Sequence, residues 1–163
     1  MTPTGTLHDA LRTALPVIVD TFHEPWWIIG SAAMALSGVP GVVPHDIDVL
    51  CSVRDADALR ATWSRHLDAG YTPRDEARFR SRFACFIHLP MPLEAMGGLE
   101  VMTGAGWRPV RVAAATHVRI AGTEVPMPTL DEQRRILHLF GRDKDLAKAV
   151  MLDHFTKDAP HVA

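Results

Sequence analysis

The feature that most constrains the fold is the segment from Trp26 to Ser52, "WWIIGSAAMALSGVPGVVPHDIDVLCS". Two short apolar stretches flank an alanine-rich piece and a loop rich in Pro and Gly. Short apolar stretches bounded by turn residues indicate buried strands, and an alanine-rich piece that ends at Gly38 indicates a short helix. The segment therefore predicts a strand, a helix over 31–38, a loop and a second strand over 46–51.

The rest of the chain is predicted to form the further helices and strands of the fold. Thr129 and Glu132 form a capping-box pattern at the start of a helix, and Pro16 is expected to kink or split the first helix. The segment "PMPLEAMGG" is predicted to be a turn because of its Pro and Gly content. Periodicity predicts helices over 6–23, 54–68 and 129–139 and from Asp143, and strands over 26–29, 78–89, 99–102, 108–113 and 117–127.

Length and order of elements set the fold class. The 163 residues suit one domain, residues 1–163. Helices and strands alternate at first and are followed by mostly antiparallel strands and two helices. We therefore expect an α+β fold with a mixed β-sheet flanked by helices.

Composition narrows the class of protein. The net charge of −2 argues against a broad surface for nucleic acid, and the two cysteines form no CxxC pair. Neither a disulfide scaffold nor a zinc site is expected, and a reducing compartment fits. No apolar run reaches the ~18 residues of a membrane span, and no basic leader precedes the first helix. These features predict a cytoplasmic protein with no membrane partner.

Asp46 and Asp48 lie in the second apolar strand, separated by one isoleucine. Residues i and i+2 of a strand point to the same face, so the two carboxylates project together. One interpretation is a half-exposed strand with two solvated aspartates. The other is a divalent cation between them, because adjacent carboxylates otherwise repel each other and Mg²⁺ prefers oxygen ligands.

Gly30 and Ser31 directly follow the first strand and open a helix. The free N–H groups at a helix start favour a phosphate, glycine allows close approach, and a serine hydroxyl adds a donor. Together with the two aspartates, this arrangement is typical of a nucleoside-triphosphate site.

The motif "IIGSAAMALSG…HDIDVL" resembles the polymerase-β-type nucleotidyltransferase superfamily, and most closely its branch of aminoglycoside and lincosamide nucleotidyltransferases and abortive-infection toxins. The resemblance implies a nucleotidyltransferase fold, Mg²⁺ as cofactor, and transfer of a nucleoside monophosphate from an NTP to an acceptor hydroxyl. The positions that carry it are Ile29, Gly30, Ser31, Asp46, Ile47, Asp48 and Val49.

The resemblance also implies a third carboxylate, for which "LEVM" offers Glu100 as metal ligand or general base. "LFGRDKDLAKAVML" resembles the Arg-x-Lys-Asp helix start of such proteins and includes Lys144. The stretch "VVPH" departs from the basic or hydroxyl residues that many relatives carry before the aspartates, although His45 substitutes in part. A domain of this size leaves little room for a separate acceptor-binding domain, so a homodimer is one way to complete the acceptor site.

Arg78, Arg80 and Arg82 alternate along a predicted strand, where they either bind phosphate or form a solvated face. Arg142 and Lys144 stand at a helix start, where a bound anion or the neighbouring aspartates would offset the helix dipole. Arg82 and Lys144 are the predicted phosphate contacts.

The function that these residues predict is nucleotidyl transfer to a small molecule, an RNA or a protein. Two alternatives stay open. One is a component of a toxin–antitoxin system, and the other is a domain that binds nucleotide without catalysing a reaction.

Overall fold

The computed structural model of the chain describes residues 3–71 and 75–158. Its helices and strands follow one another in the order that the sequence predicts, with three changes in the strands. The helices are α1 (Pro3–Thr21), α2 (Gly30–Leu36), α3 (Val53–Thr62), α4 (Leu130–Phe140) and α5 (Asp143–Asp158), with a short 3-10 helix at Ser64–His66. The strands are β1 (Trp27–Ile29), β2 (Ile47–Cys51), β3 (Phe79–Phe86), β4 (Leu93–Thr103), β5 (Gly106–Pro109), β6 (Ala115–Ile120) and β7 (Thr123–Pro128).

The main sheet is mixed, in the order β1-β2-β4-β3, and β5 pairs with the distal part of β4. β2 and β4 are parallel, whereas β1 is antiparallel to β2 and β3 is antiparallel to β4. β6 and β7 form a separate hairpin. The α+β class with a mixed sheet is therefore confirmed.

Helices cover both faces of the sheet. On one side, α1 and α3 pack with the buried residues of β2 and of the β6–β7 hairpin. On the other side, Ile136 and Phe140 of α4 pack against Leu99 and Val101 of β4. Apolar residues of α2, α4 and α5 form a third cluster. In residues 3–71 and 75–158, no helix combines the length and the apolar character needed to cross a bilayer.

The helix ends are capped, although only half of the predicted capping box at Thr129 forms, because the Glu132 carboxylate accepts from the backbone N–H groups of Ala113 and Ala114 rather than from that of Thr129. The Thr129 hydroxyl accepts a hydrogen bond from the backbone N–H of Glu132, and α4 ends at Gly141 in the left-handed conformation. Ser52 caps α3 in the same way, through the backbone N–H of Asp55. α1 runs continuously past Pro16, so the helix is not split there.

The strands differ from the prediction in three places. The strand predicted over 108–113 is β5 at Gly106–Pro109, so residues 110–113 lie outside it. Residues 117–127 form a hairpin rather than one strand, because Ala121 and Gly122 both take positive φ angles of 49° and 83° and reverse the chain. The predicted turn "PMPLEAMGG" instead contains the first half of β4, which begins at Leu93. β4 is thus much longer than the four residues predicted from "LEVM".

A β-bulge divides β4 into two halves. Arg82 pairs with Gly97 and Arg80 with Glu100, so β4 has one residue more than β3 across this step. An extra residue reverses the alternation of side chains. Ala95 accordingly packs on the side of α1 and α3, whereas Leu99 and Val101 pack on the side of α4.

Candidate functional site

Three carboxylates meet where β2 and β4 begin. Asp46 directly precedes β2, Asp48 is its second residue, and Glu94 is the partner of Asp48 on the parallel strand β4. One oxygen from each carboxylate lies within 4.8 Å of the others. The arrangement brings three oxygen ligands together on one face of the sheet, which is a donor set that suits a hard divalent cation.

Gly30 allows the carboxylate cluster to lie directly against the start of α2. Its φ angle is +70°, and a Cβ at this position would lie 3.1 Å from Oδ2 of Asp48. A side chain here would therefore be strained in its backbone and would also crowd the carboxylate. Glycine brings the start of α2 into contact with the acidic cluster.

Burial and mutual repulsion disfavour the ionised form of the aspartates in the cluster. Burial raises the pKa of Asp48 well above its usual range, and the neighbouring Asp46 and Glu94 carboxylates raise this pKa further. Burial also raises the pKa of Asp46, and Glu94 adds to the effect, while the ammonium groups of Lys148 and Lys144 oppose it. A bound cation would remove the repulsion that produces these shifts.

The cluster lies in the wall of a cavity of about 870 Å³. Ser31 and Lys144 line the same cavity, and so does Lys148, which is one helical turn after Lys144 on α5. Residues four apart share a helix face, so the two lysines present their charge together. The cavity thus joins three carboxylates, the start of α2 and two lysines.

The predicted site residues divide into those that the structure brings together and those that it does not. Gly30, Ser31, Asp46, Asp48 and Lys144 all line the cavity.

Glu100, the predicted third carboxylate, does not lie at the cluster. Glu94 occupies that position instead. Glu100 is six residues further along β4, which is about 20 Å in an extended strand. It lies between Leu99 and Val101, which face α4, so its side chain is on the opposite face, where it accepts a 2.9 Å hydrogen bond from Arg80. The β-bulge is the physical reason, because without it residues 94 and 100 would share a face.

Arg82 is also outside the cavity lining. It donates to Asp57 of α3 at 2.8 Å, on the face of the sheet away from the cluster. Arg142 lines the cavity, but its guanidinium group is held by Asp145 at 2.6 Å and by Asp75 at 3.2 Å. Lys144 and Lys148 are therefore the better candidates for binding an anion.

Glu94 and Lys148 were not predicted from the sequence, although a sequence pattern points to each of them. "LEAM" at 93–96 repeats the Leu-Glu-x-Met pattern of "LEVM" at 99–102. The prolines and glycines around the first copy favoured a turn there. Lys148 follows Lys144 at the helical spacing of four residues, which places it on the same face of α5.

Comparison with known proteins identifies the fold. No protein-family model and no curated protein matches the sequence. Among solved structures, a crystal structure from Thermotoga maritima, provisionally assigned as a nucleotidyltransferase, is similar with a TM-score of 0.65 and 23% identity, over 90% of this chain and 92% of that one. The chain has the nucleotidyltransferase fold.

A second solved structure supports the same fold. The solution structure of the antibiotic-resistance factor ANT(2'')-Ia is similar with a TM-score of 0.53 and 12% identity, over 93% of this chain and 83% of that one. Identities this low concern the fold alone. The fold that the sequence resemblance implied is confirmed, and the chemistry must be argued from the site.

Proposed function

We propose that this protein is a Mg²⁺-dependent nucleotidyltransferase that transfers a nucleoside monophosphate from an NTP to an acceptor hydroxyl. The observation that carries the proposal is the cluster of Asp46, Asp48 and Glu94 beside Gly30 at the start of α2, in a large cavity. The nucleotidyltransferase fold supports it. The acceptor is a small molecule, an RNA or a protein.

The residues of the cluster fit a magnesium ion. All three donors are carboxylate oxygens, which Mg²⁺ prefers over nitrogen or sulfur. Oδ1 of Asp48 is buried and has no hydrogen-bond partner among the described residues. A buried carboxylate oxygen without a partner costs free energy, and a cation would satisfy it. Mg²⁺ bound there would neutralise charge on the phosphates and lower the pKa of the acceptor hydroxyl.

The other residues of the cavity have separate roles in this proposal. The backbone N–H groups at Gly30 and Ser31 and the Ser31 hydroxyl bind oxygens of the triphosphate. Lys144 and Lys148 bind the same polyanion from α5. In this proposal Glu94 both binds the cation and accepts the proton of the acceptor hydroxyl.

The proposal is tested by incubating the protein with labelled NTPs, Mg²⁺ and a panel of small molecules, tRNA and protein. We expect label transfer that requires Mg²⁺ and is lost in Asp48→Asn, which keeps the shape of the side chain but removes its charge. Asp57→Asn is a matched control, since Asp57 is an exposed aspartate that pairs with Arg82.

The outcomes separate the candidate functions. Transfer by Asp48→Asn at the parent rate would overturn the role of the cluster. Mg²⁺-dependent nucleotide binding by calorimetry without transfer to any acceptor in the panel would favour a nucleotide-binding domain without catalytic activity. Absence of Mg²⁺-dependent nucleotide binding would overturn the proposed function itself.

A further inference from the structure

Gln133 on α4 has a buried carbonyl oxygen that nothing in the described part of the chain satisfies. The residue is 5% exposed and lines the cavity. Its Nε2 donates to the backbone oxygen of Pro128 and to Oγ of Ser37, both at 3.0 Å. Because a backbone oxygen can only accept, this bond fixes which end of the amide is nitrogen. Oε1 is therefore an acceptor in a fixed orientation.

Only two buried side-chain N or O atoms in residues 5–71 and 75–157, the part of the chain whose side chains are described, have no hydrogen-bond partner. They are Oδ1 of Asp48 and Oε1 of Gln133, and both residues line the same cavity. A buried acceptor without a donor is destabilising relative to a satisfied one. Unsatisfied buried groups are rare in proteins, and their coincidence in one cavity indicates that a ligand supplies the missing partners. A cation serves Asp48, and Gln133 requires a hydrogen-bond donor.

The surroundings of Gln133 favour a flat, largely apolar ligand group. Met34, Ile136 and Leu137 line the cavity near it on α2 and α4. A sugar in such surroundings would leave its hydroxyl groups without partners, whereas a nucleobase presents two apolar faces and a few polar atoms at its edge.

The distance from the phosphate end also fits a nucleoside. Ser37, the partner of Gln133, is the C-terminal cap of α2, and Gly30 begins the same helix beside Asp48. Seven residues of α-helix span about 10 Å. A nucleoside that extends from a phosphate at the cluster along α2 would carry its base toward Gln133.

We propose that Gln133 recognises the nucleobase of the NTP, its Oε1 accepting a hydrogen bond from an exocyclic amino group such as N6 of adenine. This inference rests on the proposed function and adds a base preference to it. Uracil is the common base without an exocyclic amino group, so UTP lacks this contact.

The test is a double comparison of Mg²⁺-dependent binding by calorimetry. ATP is compared with purine riboside triphosphate, which lacks only the 6-amino group, in the parent protein and in Gln133→Met. Methionine keeps the length of the side chain and removes the acceptor. Ser37→Ala is the control, since it removes a partner of Nε2 and leaves Oε1 in place. Thermal unfolding of each variant checks that it folds.

In the parent we expect ATP to bind about fivefold more tightly than the analogue, the usual effect of one hydrogen bond. In Gln133→Met this ratio should fall to about one, and in Ser37→Ala it should be kept. A general loss of affinity in a variant cancels in the ratio. A parent ratio of one, or a ratio unchanged in Gln133→Met, would overturn the inference while the proposed function stands. If the parent binds neither nucleotide in the presence of Mg²⁺, the proposed function fails as well.

Discussion

At the scale of single residues, Glu94 and Glu100 form a natural matched pair. Both occur in a Leu-Glu-x-Met sequence on the same strand, yet one meets Asp48 and the other pairs with Arg80. We expect Glu94→Gln to weaken Mg²⁺ binding strongly, because it removes one of three ligand charges, and to lower nucleotide transfer by about 100-fold or more. Calorimetry with Mg²⁺ and the rate of transfer are the measurements.

Glu100→Gln is the control for this change. It removes an ion pair whose arginine is half exposed, so it should alter the free energy of unfolding by less than about 1 kcal/mol and leave Mg²⁺ binding intact. If Glu100→Gln impairs Mg²⁺ binding and Glu94→Gln does not, the three-carboxylate cluster described here is not the metal site.

Gly30 allows a second test at the same scale. Gly30→Ala places a Cβ 3.1 Å from Oδ2 of Asp48 and forces an alanine into the left-handed conformation. We expect the free energy of unfolding to fall by about 1–2 kcal/mol, the usual cost of that conformation, and Mg²⁺ affinity to fall because Asp48 must move. Urea unfolding and calorimetry measure the two effects.

Gly122→Ala separates backbone strain from crowding of the carboxylate. Gly122 also has a positive φ, of +83°, but nothing lies within 4 Å of its would-be Cβ. It should lose similar stability and keep full Mg²⁺ affinity. Equal loss of Mg²⁺ affinity in both variants would mean that Gly30 acts only through stability.

At the scale of elements, Gly97 lets α3 pack closely on β4 at the bulge. A Cβ on Gly97 would lie 2.7 Å from Cβ of Ala56 and 3.0 Å from backbone atoms of Ser52 and Val53. Backbone atoms cannot turn aside as a flexible side chain does. We therefore expect Gly97→Ala to lower the free energy of unfolding by about 1–3 kcal/mol, as overpacking usually does.

Gly104→Ala is the control for the packing of α3, because its Cβ would meet nothing within 4 Å. Denaturant unfolding of both variants gives the comparison. A Gly97→Ala variant as stable as Gly104→Ala would show that α3 can move away from β4 without cost.

The elements also show what the sequence could predict. The caps at Ser52 and Thr129 and the glycine stop at Gly141 were predictable, because each depends on residues within one helical turn. The start of β4 was not, since prolines and glycines near it favour a turn by local rules. Here Gly97 serves instead the close packing of α3 and lies at a bulge. Local patterns do not distinguish these uses of glycine.

At the scale of the whole molecule, the site depends on pairing between distant parts of the chain. Asp46 and Asp48 were predictable as a pair because two-residue spacing fixes a shared face. The third carboxylate follows from the parallel register of β2 and β4, in which Asp48 is opposite Glu94. That register depends on tertiary packing, and a single bulge moves Glu100 to the other face. The sequence therefore predicted the two aspartates of the cluster but not its third carboxylate.

The acidic cluster should also set how the stability of the whole protein depends on pH. The pKa values of Asp46 and Asp48 are raised in the folded protein, mainly by burial. Between the ordinary pKa of about 3.9 and the raised folded value, the folded state binds more protons than the unfolded state. Stability contributed by these groups must then fall as pH rises through that window.

Glu132 acts in the opposite sense and in a different window. Its hydrogen bond from Arg135 lowers the pKa of this carboxyl, so its contribution is present above the ordinary pKa and is lost as pH falls through the folded value. Glu132 therefore contributes to the loss of stability in acid. The loss of stability toward neutral pH comes from the acidic cluster.

The cluster's contribution is isolated by comparing the parent with Asp48→Asn in the absence of metal. Asparagine cannot ionise, so the variant escapes the repulsion from Asp46 and Glu94 that grows as the carboxylates lose their protons. We expect the melting temperature of the variant relative to the parent to rise as pH increases from about 4 toward neutral. Mg²⁺ should stabilise the parent at the upper end of this range, where the ligands are ionised, and have little effect at the lower end or on the variant. A difference in melting temperature that does not change with pH, or equal stabilisation of both proteins by Mg²⁺, would mean that the buried carboxylates neither repel one another nor share a cation.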